Sequence, residues 1–520
     1  MTFNSHLIPA TSNRVKRAHD LRVHLATIDN AVAIPPQADN GDEARYPDKS
    51  GTYTKGLKQD RLGVVNHAAY DSFIKALKSG DPADFEKIIT GGNRTQNGPQ
   101  GGLAFHLNMV DSHQINVRAA PSLDSEEYAA ELIELYWASL LRDVSFVDYS
   151  TNAVAMRAAA ELNGLADYKG PGHGGRVTTE NLFRGTFSGE DKGPYVSQFL
   201  LKQGTFGALA FDQRYRTNAA HKDFVLDSNE FMDVQNGMPT GKSLTPAGPL
   251  YLHDGRGLAA YTHEDVLYEA YFVAYLLLDK LGGSFLNPGN PYRSSKTQNG
   301  FASFGGPDVS AALATVAGLA IKAVWYQKWW VHLRHRPESG GGIVHLLKTG
   351  QGGTINGHVS NTVLISQAVA ACYAANNSYL LSQAFPEGSP THPAYPTGHG
   401  AVAGACITIL KFFFDGTKVI PDPKVSADGT ALTNYLGVDA TKLTINGELH
   451  KLASNISFGH GVHGGIHWRS DTLTSIQFGE AVAISYLEDL SKCYNEKFSI
   501  SLTKLDGTPK TFTHQTGAAD

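Results

Sequence analysis

Lys328 and Arg336 stand eight residues apart in the stretch KWWVHLRHRP. Read as one helix, that spacing puts them about two turns apart and about 80° from eclipsed. An ammonium and a planar guanidinium so placed can clamp a tetrahedral oxyanion. Alone, the segment fits a solvated helix face better. The second stretch is HPAYPTGHG, from His392 to Gly400. Pro396 fixes the entry of the chain, the Thr397 hydroxyl can donate, and Gly398 permits close backbone approach where the amides of a following apolar helix face an anion. His399 then sits where it can exchange a proton with a bound oxygen. An ordinary Thr N-cap accounts for the same residues. The third stretch, SNISFGHGVHGGIHWRSD, carries His460, His463 and His467. Asp471, four after His467, can hold the second imidazole nitrogen and fix its tautomer, which sharpens a ligand or a nucleophile. Zinc is the rival for this cluster, but no cysteine lies near it and HExxH is missing. Together, two cations, a helix start and two histidines point to an oxyanion site.

Helices must deliver these groups. Residues 308–335 read as one long helix stopped by Arg336-Pro337, with a Gly-rich connection over 338–358. An apolar helix over 361–384 follows. Another begins just after His399 and runs to about Phe414, and a fourth covers 473–494. Upstream, 125–142 is amphipathic, with acids in its first turn and Arg142 in its last, and 264–281 is helical. Residues 1–60 read as a polar arm with a short helix at 14–30, and 165–260 as loops. The tail FSISLTKLDGTPKTFTH alternates about Asp506-Gly507 as a hairpin does. The balance predicts an all-α fold of helix bundles with minor β-hairpins.

The 520 residues are 42% hydrophobic, enough for a large core. A net charge of −5 excludes nucleic acid as a partner by bulk electrostatics, so any anion site must be local. Of three cysteines, Cys372 and Cys406 fall in apolar helical runs and read as core, not as a disulfide framework. The first 20 residues lack the apolar stretch of a secretory signal, and no run of about 18 apolar residues is evident. A soluble product with no membrane partner, cytoplasmic by default, is the expectation.

The pattern Lys-x7-Arg-Pro, Pro-Ser-Gly-His and Ser-Arg-x5-His-x3-Asp marks the superfamily of vanadium haloperoxidases and type 2 phosphatidic acid phosphatases. This chain resembles it at Lys328, Arg336-Pro337, Thr397-Gly398-His399 (Thr replacing Ser), His467 and Asp471. From Asp81 through Phe105, and over KWWVHLRHRPE, it looks like the bromoperoxidases of red algae and cyanobacteria. The resemblance implies two four-helix bundles in one domain spanning 1–520, helical and loop-rich over 1–300 and catalytic over 301–520. It implies vanadate bonded by His467, with Lys328, Arg336 and the Gly398 amide balancing its charge, Thr397 and His460 beside it, and His399, Lys328 and Asp471 serving the chemistry. The metal keeps its oxidation state and acts as a Lewis acid on hydrogen peroxide. A halide then takes an oxygen, giving hypohalite that halogenates a small organic acceptor. Trp325, three before Lys328, and His392, seven before His399, correspond to halide-side neighbours. A His at 392 resembles bromoperoxidases, so bromide and iodide are expected, although plain helix packing also accounts for Trp325. A homo-oligomer built on a dimer, up to a hexamer or dodecamer, is implied too, as is a structural calcium whose ligands the sequence does not mark.

One position departs from the pattern. The second arginine of the family should fall six before His467, where Gly461 stands. Aligned from the left on SNISFG, His460 takes that place with one extra residue before His467. A histidine is cationic only at low pH unless a bound oxyanion raises its pKa, and Arg469 is the other group able to compensate. Two alternatives follow: an acid phosphatase with His467 as nucleophile and His399 as acid, and a non-catalytic oxyanion-binding assembly protein.

Overall fold

The helix Gly398–Phe413 is buried along its whole length. Its sequence is apolar or small on every side, so it becomes the centre of a bundle and not its surface. It packs against Gly306–Tyr326, Ile445–Phe458 and Arg469–Ser491, and the last of these also touches the other two. The contact with Arg469–Ser491 is the closest, and glycines set it. A Cβ on Gly404 would lie 1.8 Å from the Ile476 carbonyl oxygen, and one on Gly479 would lie 2.0 Å from that of Ala401. Backbone thus rests on backbone, which fixes Thr397 beside Asp471: the Thr397 amide donates to the Asp471 carbonyl at 3.2 Å. A second bundle surrounds Glu126–Leu140, with Ala153–Asn163, Pro337–Lys348 and Gln367–Asn376 against it.

The computed structural model describes residues 12–61, 63–109, 112–171, 176–421 and 423–514. Among these, strands occur only as five antiparallel two-stranded pairs. One is the expected C-terminal hairpin, Ser499–Thr503 with Pro509–Thr513. The all-α expectation therefore holds, with several boundaries corrected. The helix read over 308–335 ends as an α-helix at Tyr326, continues as a π-turn over Gln327–His332, and stops at Leu333, which takes the left-handed conformation (φ 43°). The expected connection over 338–358 holds the helix Pro337–Lys348, whose Gly340, Gly341 and Gly342 press against Trp468, Leu381 and Phe231. Close packing, not chain flexibility, explains those glycines. Residues 361–384 form two short helices, Asn361–Leu364 and Gln367–Asn376. Residues 255–279 form Gly255–Glu264 and Glu269–Asp279, in place of one helix from 264.

Gly306–His332 is long and apolar enough to cross a membrane, contrary to the expectation that no such run exists. More than half of its apolar stretch (56%) is buried in the fold, so the burial of a core helix explains its composition. Cys372 and Cys406 are buried, and all three cysteines are unpaired.

Candidate functional site

Because the helix breaks at Leu333, Lys328 and Arg336 reach the site from different segments and not from one helix face. The Lys328 ammonium is fully buried and donates to the carbonyls of Pro393 and Ala394, each at 2.9 Å. Arg336 precedes Pro337 as the cap residue of the next helix. Its guanidinium donates to the carbonyls of His392 (2.8 Å) and Ile466 (2.9 Å), to the His392 ring (2.9 Å), and to His467 Nε2 (2.8 Å). One side chain thereby ties all three sequence stretches together.

A guanidinium has no acceptor, so His467 Nε2 must carry the lone pair there. The opposite nitrogen, Nδ1, lies 2.9 Å from Asp471 Oδ2, which also accepts from the Trp468 amide at 3.0 Å. His467 precedes the helix that carries Asp471 instead of sharing it, yet the contact forms. Asp471 in turn is held by Arg334 at 2.7 Å, and Arg334 bonds Glu131 at 2.9 Å. This chain of buried groups, Glu131–Arg334–Asp471–His467, fixes the imidazole orientation and leaves Nε2 facing the cations. Arg334 and Glu131 were not singled out in the sequence, where charges in an amphipathic helix read as solvated.

His399 lies in the first turn of the central helix, and its Nε2 is 2.9 Å from Asp265 Oδ1. Asp265 was also missed: it stands 134 residues upstream, just past the helix Gly255–Glu264, with no local pattern to mark it. His460 stacks on His399 with ring centroids 3.8 Å apart, and its centroid is 5.5 Å from that of His467. His460 thus faces the site, whereas the backbone of Gly461 packs against His467, where a Cβ would meet the His467 Cβ at 3.0 Å. The segment Gly459–His463 forms a π-turn. Arg469 does not compensate for the missing arginine: it turns away to Glu134 and the Arg184 carbonyl. The three histidines do not converge either. His463 points elsewhere, 3.1 Å from the Tyr195 hydroxyl and among Phe146 and Phe183. Among the described residues, no three His, Cys, Asp or Glu side chains are arranged to hold a metal cation.

Trp325 donates through Nε1 to the Asn97 carbonyl at 3.0 Å, and its ring lies 4.8 Å from that of His392. Both flank Lys328. A cleft of about 540 Å³ is lined by His399, His460 and Ile466 together with Arg94, His263, Asp265, Phe385 and Glu387.

The electrostatics around Lys328 and Arg336 are those of an incomplete ion pair. Burial, then repulsion from Arg336, pushes the Lys328 ammonium well below its ordinary pKa, and burial brings Arg336 down to about 10. The nearest carboxylate, Asp471, is committed to Arg334, Trp468 and His467. Burial pushes His460 and His467 well below the ordinary histidine value, so both are neutral and add no charge. The Thr397 hydroxyl and His460 Nδ1 are buried with no partner among the described residues. Two buried cations, an imidazole lone pair facing one of them, orphaned polar atoms and a helix N-terminus suit an anion of several oxygens.

The comparisons agree with that reading. Residues 309–496 match the family described as the VCPO second helical-bundle domain. Over 96% of its length the chain is 32% identical to the vanadium-dependent bromoperoxidase of Corallina pilulifera, covering 99% of that protein. It is also 32% identical to the vanadium-dependent bromoperoxidase of Ascophyllum nodosum, over 91% of this chain and 87% of the relative. The homohexameric structure of the second vanadate-dependent bromoperoxidase of Ascophyllum nodosum superimposes with a TM-score of 0.89 at 27% identity, covering 98% of this chain and 93% of that one. The chain belongs to the vanadium-dependent haloperoxidase family.

Proposed function

We propose that this protein is a vanadate-dependent haloperoxidase that oxidises bromide and iodide with hydrogen peroxide and passes the oxidised halogen to small organic acceptors. The observation that carries the reading is the pair of buried cations, Lys328 and Arg336, which have no carboxylate of their own among the described residues and stand beside the His467 Nε2 lone pair. In this reading His467 bonds vanadate. Lys328, Arg336, the Gly398 amide and the Thr397 hydroxyl balance its oxygens, and His460 lies alongside. Bound there, vanadate supplies a Lewis acid that activates peroxide toward halide.

The remaining work falls to the chain. Asp471 holds Nδ1–H of His467 and keeps the other nitrogen free to bond. Asp265 accepts only, so His399 Nε2 carries the hydrogen and Nδ1 is the atom that takes a proton from peroxide and returns one to the product. Trp325 and His392 border the halide. Asp265→Asn should lower kcat by about 10- to 100-fold with little change in halide KM, because the imidazole loses its anchor and not its nitrogen. Steady-state bromination checks this, and an unchanged kcat would remove Asp265 from the proton path.

The single-domain organisation, with the catalytic part in 301–520, belongs to the same reading. So does a homo-oligomer, hexameric or built on dimers like the related structure. Leu21, Leu25 and Ile28 of the helix Ser12–Asn30 support it: they are 57%, 56% and 51% exposed on one apolar stripe, a surface that a second subunit would cover. For a structural calcium, the described residues offer no acidic cluster. Nothing in the geometry favours the phosphatase or a non-catalytic protein.

The test is bromination of a phenolic dye by metal-free protein with bromide, peroxide and increasing orthovanadate, from about pH 5 to about pH 8. Activity that rises with vanadate and falls with added phosphate is expected. Hydrolysis of p-nitrophenyl phosphate without halogenation would replace this reading with the phosphatase.

A further inference from the structure

Two residues past Arg336, Glu338 stands in the first turn of the helix Pro337–Lys348 and is 1% exposed. Its partner is Lys55, also 1% exposed, from the stretch that reads in sequence as a polar arm. The Lys55 ammonium donates to Glu338 Oε1 at 2.5 Å, to the Ser389 carbonyl at 2.5 Å and to the Glu387 carbonyl at 2.8 Å. An ammonium has three hydrogens, so all of them are used. The carboxylate is as fully held: Oε1 also accepts from Gln235 Nε2 at 3.1 Å, and Oε2 accepts from the Ser389 amide at 2.6 Å. The loop closes on it tightly. Gly388 takes φ +64°, and a Cβ there would lie 2.2 Å from Glu338 Oε2.

This pair joins the same two segments that Arg336 joins at the site. Glu338 follows Arg336 by two residues, and Ser389 precedes His392 by three. Arg336 donates to the His392 carbonyl at 2.8 Å and to its ring at 2.9 Å. The link from Glu338 to the Ser389 amide runs beside that one, and Lys55 closes it by bonding both sides at once. Lys55 is fixed in turn by its neighbours. The Tyr53 amide donates to the Leu333 carbonyl at 2.7 Å, Thr52 bridges Arg334, and Gln96 Nε2 donates to the Lys55 carbonyl at 3.0 Å. The arm therefore lies along the break between Lys328 and Arg336. Those two cations repel each other, so the charge that draws in an anion also works to open the empty site. A fully bonded neutral pair resists that opening and adds no net charge.

We propose that Lys55 and Glu338 are positioning residues for the oxyanion: their buried pair sets the distance between Arg336 and His392 and holds the site at its binding spacing before the anion arrives. The proposal rests on the haloperoxidase reading, in which that anion is vanadate. Neither side chain reaches the oxyanion, since each is committed to the other and to the loop at 387–389. Their contribution is preorganisation, and it falls on affinity, because the anion does not have to bring the two segments together as it binds. With vanadate in place, the anion itself ties the cations together, and the chemical step at saturation changes little.

The experiment titrates the metal-free protein with orthovanadate by calorimetry and measures bromination at saturating vanadate. Glu338→Gln keeps the shape of the carboxylate and removes its charge, and Lys55→Met removes the cation. Each should weaken orthovanadate binding by about 10- to 100-fold, the range for groups that support a bound metal from behind its ligands. The kcat at saturating vanadate should change by less than about threefold. Lys411→Met is the control for a merely structural role. Lys411 is also buried, facing Glu480 at 4.0 Å and donating to the Thr503 carbonyl, but it stands along the central helix from His399, about 18 Å away at about 1.5 Å per residue. This variant should melt earlier and bind orthovanadate as wild type does. A folded Glu338→Gln protein whose dissociation constant stays within about threefold of wild type overturns the proposal. So does a Lys411→Met protein that loses as much affinity as Glu338→Gln. Gln235→Ala removes one donor to Glu338 and keeps both charges, so it decides the matter where the charge variants do not fold. Binding about fivefold weaker, the worth of one such hydrogen bond, supports the proposal, and unchanged binding overturns it. A wild type that binds no orthovanadate removes the haloperoxidase reading first and this one with it.

Discussion

Replacing His467 with alanine should lower bromide oxidation by about a thousandfold or more, with no recovery at high orthovanadate. Second-layer partners of a metal-bound imidazole are worth about 10- to 100-fold each, and the bonding group itself exceeds them. Its Nε2 is the lone pair that Arg336 faces at 2.8 Å, and Asp471 holds its other side. The fold should survive. Arg336 retains the carbonyls of His392 and Ile466, and Asp471 retains Arg334 and the Trp468 amide. The cost is a cavity and one lost hydrogen bond on each neighbour, about 1–3 kcal/mol. A vanadate titration followed by protein fluorescence, run beside the bromination assay, separates loss of binding from loss of chemistry. Activity within tenfold of wild type would remove His467 as the bonding residue.

The second large effect is an acid limit on the vanadate-free protein. Burial, then repulsion from Arg334, lowers His332 and His335 to about 3. Burial, then repulsion from Arg142, does the same to His463. Each is neutral in the fold, whereas in the unfolded chain it charges near pH 6.5. Stability is therefore full above about pH 6.5 and declines as pH falls toward 3, by about 1.4 kcal/mol per pH unit for each histidine. Asp42, raised to about 6, and Glu190, raised to about 7, pull the other way, since they take up protons first in the fold. His392, His450, His460 and His467 are also pushed well down and join the other three. Glu131, Asp254, Glu269, Asp308 and Glu480 are raised too and offset part of this, but the seven histidines are lowered over a wider pH span, and the excess exhausts a typical stability of about 5–15 kcal/mol within a few pH units. Far-ultraviolet circular dichroism should show cooperative unfolding between about pH 5 and about pH 3.5. Helix content retained to pH 3 would contradict it.

How far the sequence foretold this site differs from residue to residue. The residues carrying local patterns were legible: Thr397-Gly398-His399 at a helix start, and His467 with Asp471 four positions on. Their partners were not. Asp265 is separated from His399 by most of a bundle, and nothing near it in the chain differs from an ordinary helix end. Glu131 and Glu134 stand in a helix whose acids look solvated. They are buried only because Arg334 and Arg469 descend on them from residues 200 and more positions away. The Lys328–Arg336 pair was found for a spacing that the fold does not use, since regular helix geometry ends before Lys328. Gly340, Gly341 and Gly342 suggested a loop because the sequence carries composition but not the side chains that will lean on it.

The π-turn at Gly459–His463 has a consequence for how such chains change. A regular helix advances about 100° per residue, so one inserted residue would rotate everything after it by nearly a third of a turn. Here the backbone closes a wider turn: the Gly464 amide reaches back five residues to the Gly459 carbonyl, and both Ile466 and His467 settle on that of Gly461. His467 bonds Arg336 while His460, on the π-turn, stacks on His399. A residue added within such a turn changes the side chains it presents and leaves the segments on either side in place. Distances counted along the chain are then poor rulers for this site, and a lineage can sample insertions within the motif itself without first losing the bond at its centre.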